Sequence, residues 1–122
     1  MNEKEIPANL LRLTPLLGVG AKALALDCEV LLGPNGPLPM AEVTHMRFAQ
    51  LTVEILSAIR PGMIILPLFS VDYDAACAVE ILEAMGFTGV VTVLAPELPK
   101  PRVVERELRS LCPGMRLTLI SP

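Results

Sequence analysis

Residues 61–95 constrain the fold more than any other part of the chain, because two short apolar runs there flank a helical segment. Residues 63–66 form the first run after a Pro-Gly turn, and residues 90–95 form the second, which is rich in β-branched side chains. Between them, residues 73–85 are nearly all apolar and end at Gly86, which suits the position after a helix. The pattern predicts a strand-helix-strand unit. Strands that are apolar on both faces are typical of a parallel sheet.

The amino-terminal segment has a less regular pattern. We expect residues 1–5 to be disordered, because they carry charges of both signs at a chain terminus. The mixed apolar period of residues 6–27 favours one or two short helices, and residues 21–26 have a helix-forming composition. A short strand around residues 10–13 could accompany them.

The next segment predicts a strand, a loop and a long helix. Residues 29–32 are predicted as the strand, and residues 33–39 as a loop, because their three prolines and two glycines cannot continue regular structure. Residues 40–59 are predicted as one helix with two apolar stripes, which together are wider than a half-buried helix needs. The stripes are Met46, Ala49, Val53 and Leu56, and Phe48, Leu51, Ile55 and Ile59. His45 falls on the polar face of this helix.

The carboxyl-terminal third continues the alternation. Residues 96–101 predict a loop that contains three prolines, and Pro101 suits the first position of a helix. That helix is one-sided. Its apolar positions are Val104, Leu108 and Leu111, and its solvated positions are Glu105, Arg106, Glu107 and Arg109. Residues 115–120 predict the last strand, and no helix follows it in this sequence, although doubly wound domains often have one there.

Together these elements predict a single α/β domain over residues 1–122. Alternating strands and helices specify a doubly wound parallel sheet of four to five strands, with right-handed crossovers and helices on both faces.

Composition narrows the classes of function. Hydrophobic residues make up 52% of the chain and charged residues 19%, so we expect some apolar surface to be buried against a partner. A net charge of -3 and 3% aromatic residues argue against nucleic-acid binding. The three cysteines form no CxxC motif, and neither a signal peptide nor an apolar run of about 20 residues is present. We therefore expect a cytoplasmic protein with reduced thiols, no cofactor, no metal and no membrane segment.

Residues 61–95 resemble the third strand, third helix and fourth strand of response-regulator receiver domains, which are flavodoxin-like. The similar features are a Pro-led hydrophobic run, a loop, a helix that contains Asp-Ala, then Gly and a Val-rich strand that ends in Ala95. The resemblance implies a receiver-like fold and a role in signalling.

The phosphorylation chemistry of that family has no counterpart in the matching residues. The phosphoacceptor Asp at the end of the third strand corresponds to Pro67, or to Leu66 if the register shifts. The metal-binding acidic residues after the first strand correspond to Gly33 and Pro34, if that strand ends at Leu32. The hydroxyl residue after the fourth strand corresponds to Ala95. The Lys that follows the fifth strand in the family is also missing, since Lys100 precedes the last strand. The resemblance therefore implies a degenerate, non-phosphorylatable receiver.

Two interpretations of function follow. The first is a non-catalytic regulatory or protein-interaction module without the phosphoacceptor Asp, with a signalling partner and a twofold homodimer as its assembly. The dimer is inferred from the surplus apolar surface of the helices predicted at residues 40–59 and 73–85. The sequence favours this non-catalytic role and leaves enzyme activity open.

The alternative is a small-ligand-binding domain or enzyme that uses the crevice at the carboxyl ends of the strands. The residues predicted to line that crevice are Asn35, Asp72, Asp74, Glu97 and Lys100. Asp72 and Asp74 also suit helix capping, with Asp72 as the N-cap and Asp74 in the first turn. No catalytic residue is assigned.

Overall fold

The computed structural model describes residues 21–28, 41–71 and 73–121, which form a five-stranded sheet and three α-helices. The strands are β1 (Ala21–Leu26), β2 (Ala41–Met46), β3 (Met63–Pro67), β4 (Val90–Leu94) and β5 (Arg116–Ile120). The helices are α1 (Val53–Ile59), α2 (Ala75–Ala84) and α3 (Pro101–Leu111), and a 3-10 turn spans Phe48–Gln50. All strand pairs are parallel, in the order β2-β1-β3-β4-β5. The predicted α/β fold with a parallel sheet is confirmed.

All three described helices pack on one face of the sheet. The connections from β2 to β5 all run in one direction across the sheet, and right-handed crossovers place such helices on the same side. The core on this side contains Leu24, Leu26, Ile64, Leu66, Val91, Val93, Ala78, Val79, Leu82 and Leu108, among others. The opposite face is also buried, and its described members are Ala23, Ala25, Cys28, Met63, Ile65, Leu94 and Ile120. A helix on that opposite face is a prediction that the described residues do not test.

The central strand-helix-strand unit follows the predicted pattern closely. Helix α2 begins at Ala75, two residues later than predicted, because the Asp74 side chain accepts a hydrogen bond from the N–H of Cys77 at 2.9 Å. Gly86 follows the helix at φ 91°, a conformation that favours glycine. Pro101 is the first residue of α3, as predicted.

Two helix predictions were wrong. Residues 21–26 form β1, which is hydrogen-bonded on both edges, and Ala23 and Ala25 are fully buried on one face of the sheet. Pairing with two neighbouring strands overrides the helix-forming composition of this segment. The first part of residues 40–59 forms β2, which pairs with β1 over six positions, and only Val53–Ile59 is α-helical.

His45 consequently lies on a strand and not on a solvated helix. It pairs with Ala25 in the sheet register. Both of its ring nitrogens are buried and make no hydrogen bond in the described part of the chain.

Glu105 was predicted to be solvated, but it is only 5% exposed. Its Oε2 accepts a hydrogen bond from the N–H of Leu119 at 2.8 Å, and Nε of Arg109 donates to the carbonyl of Leu117 at 2.9 Å. Leu117 and Leu119 have outward-facing backbone groups, because the alternate residues of β5 are bonded to β4. Side chains of α3 therefore cover part of the free edge of the sheet.

Several predictions fall outside the described residues: the interpretation of residues 1–20, the strand at 29–32 and the loop at 33–39. Asn35 and Asp72 are outside them as well.

Candidate functional site

The strands β1 and β3 separate at their carboxyl ends and leave a fork between them. Their pairing covers three positions and ends at Ala25 and Ile65. Pro67, the last residue of β3, has no N–H to extend a ladder. The sheet order reverses between β1 and β3, which in open α/β sheets is where ligands bind.

Cys28 lies at the base of this fork. Its Sγ donates hydrogen bonds to the carbonyls of Leu26 at 3.2 Å and Ile65 at 3.6 Å. Burial, and then the negative charge of Asp27, raise the pKa of the thiol to about 12. Cys28 is therefore a neutral hydrogen-bond donor at physiological pH and not a nucleophile.

Asp27 follows β1 directly, and its hydrogen bonds connect the segments around the fork. Its Oδ2 accepts hydrogen bonds from the N–H of Phe48 and the O–H of Tyr73, each at 2.9 Å. Its own N–H donates to the carbonyl of Met46 at 2.9 Å. The residue has φ 56°, a left-handed conformation that Asp tolerates better than most residues. One carboxylate thus joins the end of β1 to the 3-10 turn and to the loop before α2.

Tyr73 completes this arrangement. Its ring lies 4.7 Å, centroid to centroid, from the ring of Phe48, with an interplanar angle of 42°. Burial, followed by the hydrogen bond and charge of Asp27, raises the pKa of the Tyr73 phenol well above its ordinary value. The phenol therefore stays protonated and remains a donor to Asp27.

A crevice of about 490 Å³ opens at the fork, and we call it the fork crevice. Its lining residues are Asp27, Pro67, Phe69, Ser70 and Val71. The Phe69 side chain is 66% exposed and Val71 is fully exposed. Among the lining residues that the structure describes, Asp27 is the one with a charged side chain.

The residues predicted to line a site do not converge in the described structure. Asp74 is the N-cap of α2, whereas the capping interpretation placed Asp72 at the N-cap and Asp74 in the first turn. Glu97 and Lys100 lie exposed in the loop between β4 and α3. This loop and Asp74 are at the same carboxyl edge of the sheet, but the described structure has no hydrogen bond or ion pair that joins them. Their role in ligand binding stays a prediction.

The acidic position after the first strand was assigned to Gly33 and Pro34, after a strand predicted at residues 29–32 that lies outside the described residues. In the described structure the first strand is β1, and Asp27 follows it directly. The sequence feature that could have identified this acidic position is an Asp directly after an apolar run. It was overlooked because residues 21–26 were assigned to a helix. Tyr73 was predicted as the start of a helix, so its position opposite Asp27 could not be seen.

The described residues contain no group of three His, Cys, Asp or Glu side chains that could hold a metal ion. Within the same ranges, no helix is both long and apolar enough to cross a bilayer.

Comparison with known proteins supports the fold. The structure is similar to the signal receiver domain of the response regulator NarL from Mycobacterium tuberculosis, with a TM-score of 0.51 and 14% sequence identity. The match covers 83% of this chain and 84% of that domain. At this identity the likeness shows the receiver-like fold alone. No protein-family model matches the chain, and no curated protein is similar to it in sequence.

Proposed function

We propose that this chain is a non-catalytic regulatory module of receiver-like fold that does not accept a phosphoryl group. The observation that carries this proposal is Pro67 at the last position of β3, where the receiver resemblance places the phosphoacceptor Asp. The proline side chain has no oxygen that could attack phosphorus or carry a phosphoryl group. The receiver-like fold itself supports a signalling-type domain.

The surroundings of Pro67 support the same proposal. The carboxylate that follows β1 is present in Asp27, but its Oδ2 is held by Phe48 and Tyr73. Ala95 follows β4 where receivers have a hydroxyl residue, and Ser121 follows β5 where they have Lys. Among the described residues, an acyl phosphate at this position would find no group of acidic metal ligands and no lysine directly after β5.

In this proposal the module presents a surface that does not depend on phosphorylation. The bond between Asp27 and Tyr73 ties the loop before α2 to the end of β1. Within that loop, the N–H of Ser70 donates to the carbonyl of Tyr73 at 3.0 Å. The backbones of Phe69 and Asp74 pair in an isolated antiparallel β-bridge. These contacts hold Phe69, Ser70, Tyr73 and Asp74 against one another and against Asp27, and none of them depends on phosphorylation.

We further propose that the module assembles as a twofold homodimer. The surplus apolar surface from which the sequence predicts a dimer is smaller in the structure. Residues 41–46 are a strand and not part of a helix, and Leu82 is fully buried in the core. Support now comes from large apolar side chains that are substantially exposed on the helices: Val53 at 48%, Val103 at 45% and Ile81 at 37%.

Phosphorylation is tested by incubating the purified chain with Mg²⁺ and acetyl phosphate and measuring its intact mass. The expected result is no phosphoryl adduct, while a receiver domain with the acceptor Asp gains one in the same mixture. An adduct on the wild-type chain that Asp27→Asn abolishes would refute the proposal and identify Asp27 as the acceptor.

Assembly is tested by light scattering at micromolar concentration. If the chain is a dimer, the wild-type mass is about twice the single-chain mass of 13.1 kDa. Val53→Asp should then show the single-chain mass. Ser57→Asp is the matched control, because it adds the same charge to an exposed position of the same helix. A wild-type mass near 13.1 kDa would contradict the dimer.

A further inference from the structure

We propose that the fork crevice binds a small organic cation. In this complex an ammonium or guanidinium group contacts the carboxylate of Asp27, and an apolar body lies against Phe69 and Val71. The inference is independent of whether the module can be phosphorylated.

The position of the crevice is the first step of the argument. It lies between the carboxyl ends of β1 and β3, the two strands at which the order of the sheet reverses. The pairing of these two strands ends there, at Ala25 and Ile65. Topology thus creates a gap between two loops, which is the recurrent ligand position in open parallel sheets. Its volume of about 490 Å³ falls within the range of small-molecule sites.

The charge of the crevice selects the ligand. Both hydrogen bonds to the Asp27 carboxylate go to Oδ2, and Oδ1 has no partner in the described part of the chain. The two donors fix the orientation of the carboxylate, so the free oxygen is held ready to accept a further hydrogen bond. No described lining residue carries a positive charge. The group that complements this oxygen is a cationic donor, and an anion is repelled.

The apolar rim selects the rest of the ligand. Phe69 and Val71 are exposed. Backbone hydrogen bonds hold the two residues that bound their segment, from Leu68 N–H to the Leu94 carbonyl at 2.8 Å and from Ala75 N–H to the Leu68 carbonyl at 3.0 Å. An apolar ligand body would remove both side chains from water.

The test uses three probes that differ in one functional group: phenethylammonium, phenethyl alcohol and 3-phenylpropionate. Each is titrated into the ¹⁵N-labelled 122-residue chain and followed by amide chemical shifts. We expect phenethylammonium to bind about tenfold more tightly than the alcohol, as one charge-assisted hydrogen bond allows, and to shift the amides of Asp27, Phe69 and Ser70. The carboxylate probe should bind most weakly.

Asp27→Asn removes the charge and keeps an oxygen for Tyr73 and Phe48, and Asn tolerates the left-handed conformation. It should reduce the preference for the ammonium over the alcohol to about twofold or less, as expected when the charged partner is lost. Glu80→Gln, which neutralises an exposed carboxylate on α2 away from the crevice, should leave the preference unchanged.

The proposal is overturned if the alcohol binds the wild-type chain as tightly as the ammonium, or if the shifted amides lie away from the fork. It is also overturned if Asp27→Asn keeps the tenfold preference. If Asp27→Asn does not fold, the order of the three probe affinities for the wild-type chain still tests the proposal. The affinities of Phe69→Ala for the same probes give the second test. This change at an exposed side chain is expected to weaken all three probes.

Discussion

Replacing Tyr73 with Phe tests whether the fork is held as described. The change removes one oxygen atom and keeps the ring that contacts Phe48. The lost hydrogen bond reaches Oδ2 of Asp27 at 2.9 Å and leaves that oxygen with the N–H of Phe48 alone. A buried hydrogen bond to a charged group contributes about 1.5–3 kcal/mol, and partial exposure reduces the expected loss in unfolding free energy to about 1 kcal/mol.

The pH dependence of this loss gives a second, independent readout. Burial and Asp27 raise the pKa of Tyr73 above its ordinary value of 10.0. A raised pKa contributes stability that is fully present below the unfolded-state pKa and is lost as pH rises toward the folded-state pKa. The stability difference between wild type and Tyr73→Phe should therefore be constant near neutral pH and should shrink above a pH of about 10.

Two assays measure these quantities. Urea unfolding followed by circular dichroism gives the free energies at each pH. The absorbance of tyrosinate gives the pKa directly, because Tyr73 is the one tyrosine in the sequence. Asp27→Asn should lower the titration midpoint of the folded chain. A folded-state midpoint equal to that in urea, or a loss of less than about 0.3 kcal/mol in Tyr73→Phe, would refute the reasoning, because such a loss is well below that of an ordinary hydrogen bond.

Two further predictions concern the sheet edge and the thiols. Glu105→Ala should reduce the free energy of unfolding by about 2 kcal/mol, because the N–H of Leu119 loses its acceptor. Glu105→Gln keeps an acceptor oxygen and should lose less free energy of unfolding in the same urea titration. Equal losses in the two variants would contradict this role of Glu105. In native thiol titration with an aromatic disulfide, Cys77 should react quickly, because it is exposed, while Cys28 and Cys112 react only after unfolding. Rapid reaction of all three thiols in the native chain would contradict the described burial.

The sequence was most informative where local and tertiary preferences agree. Residues 61–111 contain strands and helices whose apolar periods are bounded by Pro or Gly, so β3, α2, β4 and α3 could be predicted within about two residues. A capping role for this Asp pair was predictable, because an Asp next to a helix start has a simple local function, but the N-cap is Asp74, which was predicted to lie in the first turn.

The sequence misled where tertiary contacts override local preference. Ala21–Leu26 has the composition of a helix, but its position between two strands makes it a buried strand. Two stripes at helical spacing in residues 40–59 concealed the short edge strand β2. These two errors hid the candidate site. Asp27 can be recognised as a site residue only when residues 21–26 are known to be a strand beside β3.

The measurement that most directly tests the central claim is a set of ¹H–¹⁵N spectra of the whole chain with Mg²⁺, first without and then with acetyl phosphate. The amides to follow are Asp27, Leu68 and Ala95, which lie directly beyond the ends of β1, β3 and β4. We expect these amides to keep their positions, because in our proposal Pro67 replaces the phosphoacceptor and the Asp27 carboxylate is held by Tyr73 and Phe48. A saturable shift of these three amides that requires both Mg²⁺ and acetyl phosphate would contradict a non-phosphorylatable module.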